Sequence, residues 1–159
     1  MRAIGISFVL AVMTASAQPA QTVKTYASAA DVAALAAKAK SDRKGDQPTV
    51  AERILQLAPY NVNLEYRSAV GPAAVHQVEA EMFYVIDGSA TLTTGGKLVN
   101  GKATNAENSQ GTAIEGGTSR HVAKGDFIIV PENTPHWFSA IDGTVTLMSV
   151  HVPRPVPAH

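Results

Sequence analysis

"GDFIIVPENTPHWF", Gly125 to Phe138, holds two apolar runs parted by prolines and an asparagine. A short apolar run, Phe127 to Val130, stops at Pro131, and a second run resumes at His136 after Asn133 and Pro135. Runs this short, rich in β-branched and aromatic residues and separated by proline and asparagine, predict strands rather than a helix. Successive side chains of a strand point to opposite faces, so His136 and Phe138 share one face and Trp137 takes the other. A histidine on the face of an aromatic apolar residue is bound for an interior, where a polar group needs a partner.

The same pattern appears upstream in "GPAAVHQVEAEMFYVIDG", Gly71 to Gly88. Alternation puts Ala74 and His76 on one face, and Glu81, Phe83 and Val85 on another, away from Met82, Tyr84 and Ile86. Faces carrying His76, Glu81 and His136 can all point into one barrel, where two imidazoles and a carboxylate converge. Such a set suits a metal and leaves positions open for water or substrate.

Further strands are expected near residues 52–57, 61–69, 73–77, 81–87, 89–94, 119–122, 126–130, 135–139 and 144–152. "DGS" at Asp87 to Ser89 and "IDGT" at Ile141 to Thr144 are turn signals between them. The polar, glycine-rich residues 95–118 are expected to form a long loop with at most a short strand. Many short strands with regular turns indicate an all-β sandwich or barrel.

At these residues the sequence resembles the cupins. Gly125, Pro131 and His136 fall at the spacing of the second cupin motif, G-x5-P-x-G-x2-H-x3-N. Asn133 stands at that motif's second glycine, and asparagine is the non-glycine residue best suited to a positive φ. Ala140 stands at its final asparagine. In the first motif, G-x5-H-x-H-x3,4-E-x6-G, His76 fits the second histidine, Glu81 the glutamate and Gly88 the closing glycine. Ala74 stands at the first histidine and Ser68 at the opening glycine.

The resemblance covers about residues 61 to 152. It implies an all-β, double-stranded β-helix, the cupin jelly-roll barrel, here with a short N-terminal helix. It also implies metal ligands His76, Glu81 and His136, a two-histidine, one-carboxylate set that suits Fe, Mn, Ni or Zn as divalent ions. Glu81 is the candidate catalytic residue, as ligand alone or as ligand and proton acceptor by turns. The function expected is a metal-dependent enzyme, oxygenase-like, on a small organic molecule. Isomerase and lyase chemistry are also open, and the alternative is a non-catalytic cupin that binds a small ligand such as a sugar. A homodimer formed through sheet edges is a further expectation.

Other polar residues are weaker candidates. Glu79 is expected on a solvated edge, His121 on the surface and His159 at the frayed end. His151 lies in the last strand, with its face open. One of Glu65 and Tyr66 is expected to line the cavity.

The 159 residues suit one domain, and 45% apolar content supports a hydrophobic core. Thirteen basic residues balance thirteen acidic ones without clustering, so no nucleic-acid footprint is present. The absence of cysteine excludes thiolate ligands, a cysteine nucleophile and a disulfide scaffold. Arg2, the apolar residues 3–12 and the small residues Ala15, Ser16 and Ala17 have the pattern of a secretory signal peptide cleaved after Ala17. A periplasmic or secreted protein with no membrane attachment after cleavage is therefore expected. "SAADVAALAAKAKSDRKGD", from Ser28, reads as a helix with Ser28 as N-cap, Asp31 in the first turn and Gly45 as its stop. The organisation expected is a signal peptide at 1–17, a linker and helix at 18–50, the barrel at 51–153 and a tail at 154–159.

Overall fold

The structure, a computed structural model, describes residues 22–154, so the expected signal peptide and His159 lie outside the described residues. The chain forms one helix, α1 (Ala29–Asp42), followed by eleven strands: β1 (Thr49–Leu57), β2 (Tyr60–Arg67), β3 (Ala73–His76), β4 (Glu79–Thr94), β5 (Lys97–Val99), β6 (Lys102–Ala103), β7 (Asn108–Gly111), β8 (Ala113–Glu115), β9 (Thr118–Ala123), β10 (Phe127–Val130) and β11 (His136–Pro153). All the pairings are antiparallel. Together with the comparisons reported below, this is the double-stranded β-helix expected from the sequence. Among the described residues no helix is long and apolar enough to cross a membrane.

Helix α1 starts at the expected cap. Ser28 Oγ accepts from Asp31 N at 3.1 Å, and Asp31 Oδ2 accepts from Ser28 N at 2.8 Å, a reciprocal capping box. Its apolar stripe of Val32, Leu35, Ala36 and Ala39 packs on Val50, Ile54, Val62, Leu64 and Tyr66. That contact covers the outer face of β1 and β2 and leaves the opposite face of β2 turned into the barrel.

Strand β11 organises the rest. It pairs with β4 along nearly its whole length, with β2 over Val145–His151, and with β3 at His136↔Ala74. Phe83, Val85, Ala90, Leu92, Val122, Val130, Phe138, Val145 and Leu147 fill one end of the barrel and are almost fully buried. Each large side chain buried this way contributes about 1.5–3 kcal/mol. The polar residues cluster toward the other end.

Three sequence expectations change. The turns foreseen at Gly88 and at Ile141–Thr144 are irregularities inside continuous strands. Gly88 has φ +79°, and the β4–β11 register shifts between Ile141 and Val145. Here the two glycine signals oppose each other: a Cβ on Gly88 would stand 2.0 Å from the Thr144 carbonyl oxygen. The long loop of residues 95–118 is replaced by four strands, β5 to β8. Its polar, small residues carry no alternation signal, yet β7 finds a ladder against β3. The exchange of glycine for asparagine at 133 has the anticipated backbone, with φ +55°.

Candidate metal centre

The barrel brings four polar side chains to one point. His76 ends β3, Glu81 lies near the start of β4, and His136 opens β11. The fourth is His151, which stands directly across from Glu81 in the β4–β11 ladder. The Glu81 carboxylate is 4% exposed and forms the hub. Its Oε2 lies 3.3 Å from His76 Nε2 and 3.0 Å from His136 Nε2. Its Oε1 lies 3.3 Å from His151 Nε2 and accepts a 2.6 Å hydrogen bond from Ser149 Oγ. Ser149 is fully buried and two residues before His151, so alternation delivers both to the same carboxylate.

Each imidazole is oriented from behind. His76 Nδ1–H donates to Asn108 Oδ1 at 2.5 Å, across the β3–β7 pair. His136 Nδ1–H donates to the Thr134 carbonyl at 3.2 Å, and His151 Nδ1–H to Glu79 Oε2 at 3.0 Å. The backbone adds a tie: Asn133 N donates to the His76 carbonyl at 2.7 Å, linking the positive-φ turn to the neighbouring ligand candidate. Three oxygen acceptors on three Nδ1 atoms leave all three Nε2 atoms facing Glu81. This is the tautomer and orientation in which histidine binds a metal through Nε2.

The electrostatics follow from this crowding. Burial opposes ionisation of Glu81, but hydrogen bonds from His136, His151 and His76 outweigh it and hold the carboxyl well below its usual range. The hydrogen bond to Glu81 raises His76, against burial and the repulsion of His151. His151 is pushed up to about 9, first by its hydrogen bond to Glu81 and, with burial opposing, by the charges of Glu81 and Glu79. The His76 and His151 rings sit 4.8 Å apart, centre to centre, around one carboxylate.

The donor set fits a divalent cation. Donors bound at about 2.1 Å to one ion stand no more than about 4.2 Å apart. The ligand atoms of His76, Glu81 and His151 lie within 4.8 Å of one another, so a shift of about half an ångström would seat an ion between them; His136 is outside that group, with its Nε2 3.0 Å from the same carboxylate.

The cluster opens into a cavity of about 280 Å³ that is also lined by Thr49, Glu65, Arg67, Ala74 and Gln110. A second cleft of about 320 Å³, with Asn61, Asn63, Glu79 and Asn108, reaches His76 and His151 from another side. Of the two residues weighed on the early strand, Glu65 lines the cavity and Tyr66 packs under the helix.

Glu79 departs from the sequence reading. It is half-buried against His151 rather than on a solvated edge, and it shares the face of Glu81. Alternation counted from His76 does not carry through Gln77 and Val78, because β3 ends and β4 begins there. His121 is exposed and pairs with Asp142 at 3.1 Å, as a surface residue. Trp137 points away from the cluster and donates from Nε1 to the Gly71 carbonyl at 2.9 Å.

Comparison with known proteins gives the family. Among solved structures, Fe(II) HppE superposes with a TM-score of 0.52 at 16% identity, over 69% of this chain and 53% of that one. The chain thus spans about half the length of HppE. KdgF from Halomonas sp. matches with a TM-score of 0.50 at 15% identity, over 71% and 87% of the two chains. An uncharacterised conserved protein with a double-stranded β-helix domain from Klebsiella pneumoniae subsp. pneumoniae gives 0.50 at 17% identity, over 72% and 85%. At these identities the likeness is one of fold. No curated protein matches the chain. A family model described as Cupin matches residues 47–155, which spans the whole barrel with both motifs, and the chain therefore belongs to the cupins.

Proposed function

We propose that this cupin is an exported metal-dependent enzyme, oxygenase-like, acting on a small organic molecule in the cavity beside His76, Glu81, His136 and His151. The observation that supports it is the convergence of three Nε2 atoms on one buried carboxylate, each ring held from its Nδ1 side by an oxygen. His76, Glu81 and His136 are the ligands that the motifs imply. His151, from the last strand, brings the histidines around Glu81 to three although Ala74 stands at the motif's first histidine.

A bound divalent transition metal, of which Fe(II) is the first to try, would supply a Lewis acid and, if redox-active, a site for O₂ chemistry. The residues of the chain do the rest. Ser149 and the three imidazoles keep Glu81 ionised, which makes it a weak base, so its role is chiefly that of a ligand. The cavity's other carboxylate, Glu65, lies beside Arg67 and is the better placed acid–base group. Thr49, Ala74 and Gln110 bound the space for the substrate.

Export belongs to the same proposal and rests on Arg2, the apolar run and the Ala15-Ser16-Ala17 step. So does pairing of two copies along β1, which stands at the end of its sheet. One observation favours a second reading, a non-catalytic binding cupin: Ser149 and three histidines already satisfy Glu81 without any ion. Elemental analysis of the protein purified from its native compartment, followed by oxygen uptake with candidate substrates, separates the two. A stoichiometric redox metal with substrate-dependent O₂ consumption is expected for the enzyme. A metal-free protein that still binds a small ligand would leave the second reading standing.

A further inference from the structure

Strand β2 is patterned the wrong way round for a barrel with an apolar interior. Its apolar residues Val62 and Leu64, together with Tyr66, face outward under α1, and the alternate residues Asn61, Asn63, Glu65 and Arg67 face the barrel. Polar side chains on an inward face are costly unless they are paired or solvate something. Arg67 has 16% and Glu65 12% of the side chain exposed, so this is a built feature and not a surface pair.

The guanidinium is held in place. Arg67 Nε and Nη2 both donate to Glu65 Oε2, at 3.0 and 2.6 Å. The Arg67 Cζ sits 4.7 Å from the centre of the Phe138 ring. Pairing through Nε and Nη2 on a single oxygen leaves Nη1 for another acceptor, and planar guanidinium donors suit carboxylates. Glu65 and Arg67 cancel in charge. The cleft beside the cavity presents the Asn63 amide and Asn61 Nδ2 to a hydroxyl group, since Asn61 Oδ1 accepts from Arg53 and the Asn108 amide is engaged by His76 and Asn105.

We infer that the cavity binds a small polyhydroxylated carboxylate, with its carboxylate on Arg67 and its hydroxyls on the metal side and the amide-lined cleft. This rests on the metal reading above. Gluconate and sorbitol test it, since they differ only in carboxylate against hydroxymethyl. The full chain is loaded with Zn(II), and both compounds are titrated by calorimetry, with zinc measured before and after. Gluconate is expected to bind at least about tenfold tighter than sorbitol, the size of one charge-assisted contact. Arg67→Met should erase that preference with zinc retained, and Arg67→Lys should keep part of it. Equal binding of the two compounds to the zinc-loaded wild type would overturn the inference. So would a gluconate preference that survives in Arg67→Met. If the wild type fails to hold zinc, the metal reading falls, and the same pair titrated on metal-free protein decides the anion site: a preference lost in Arg67→Met supports it, and no preference overturns it.

Discussion

Removing His151 is the sharpest test of the centre, because no motif points to this residue and the geometry alone assigns it. The side chain spans two carboxylates, with Nε2 at 3.3 Å from Glu81 and Nδ1 at 3.0 Å from Glu79. His151→Ala therefore deletes a candidate metal ligand, whereas Glu79→Gln alters only the group that orients it. Loss of an orienting partner costs about 10- to 100-fold in metal affinity. Loss of the ligand should reach at least the upper end, about 100-fold, or about 2.8 kcal/mol. The metal-free fold should lose less. Glu81 keeps His76, His136 and Ser149 as donors, and the partly exposed Glu79 can be hydrated, so about 1.5–3 kcal/mol is the ceiling for one charge-assisted hydrogen bond. Competition titration of Zn(II) against a chelator measures the affinity, and urea denaturation of metal-free protein measures the fold. Restoring a histidine at the vacant motif position supplies the positive control. Ala74 is the cross-strand partner of His136 and lines the same cavity, so Ala74→His in the His151→Ala background should recover much of the lost affinity. Zinc affinity in His151→Ala within threefold of wild type would refute the four-ligand centre, whatever happens at position 74.

Ser149→Ala removes the 2.6 Å hydrogen bond to Glu81 from a fully buried site, and should lower both stability, by about 1.5–3 kcal/mol, and zinc affinity, by about tenfold or more. Denaturation and chelator competition on the same variant check this, and an unchanged zinc affinity would mean that the carboxylate is positioned without it. Gly88→Ala should destabilise by more than about 2 kcal/mol, since the new Cβ meets the Thr144 carbonyl at 2.0 Å and φ is +79°. A melting temperature equal to wild type would show that β4 and β11 do not approach so closely. For chelator-treated protein the pH dependence has a fixed sign. The raised His151 contributes stability that is fully present below 6.5 and lost as pH rises through about 9. The lowered Glu81 contributes stability present above 4.5 and lost as pH falls. Thermal melts should therefore peak between about pH 4.5 and 6.5 and fall toward pH 9, and a maximum above pH 8 would contradict the hydrogen-bonded cluster.

The barrel was legible because its strands carry apolar alternation and its second motif keeps Gly125, Pro131 and His136 at fixed spacing. His76, Glu81 and His136 were legible for the same reason. His151 was not, because a register shift between Phe138 and Ala140 and another between Ile141 and Val145 break the alternation along β11. Counted from His136, the inward residues are even-numbered. Beyond the shifts they are Val145, Leu147, Ser149 and His151. Apolar residues on both faces of residues 144–152 gave no hint of which set turned inward. Glu79 was misplaced by a related cause, a strand break at Gln77 and Val78. The strands within residues 95–118 escaped notice because short polar strands are specified by their partners and not by their own pattern. Yet one of them supplies Asn108, which fixes the His76 ring.

A histidine at position 151 rather than at position 74 also bears on which side of the candidate centre is open. Ala74 borders the cavity that contains Arg67 and Glu65, whereas His151 stands between that cavity and the amide-lined cleft and borders both. Ala74 pairs with His136, so an imidazole at 74 would take up part of the cavity that Arg67 also lines. With alanine at 74 that space stays open, while three histidines still face Glu81 because His151 comes from β11. The degenerate first motif and the inward-facing arginine are then two sides of one arrangement: the residue that the motif lacks is the one that would have filled the place where an anion can reach both Arg67 and the metal.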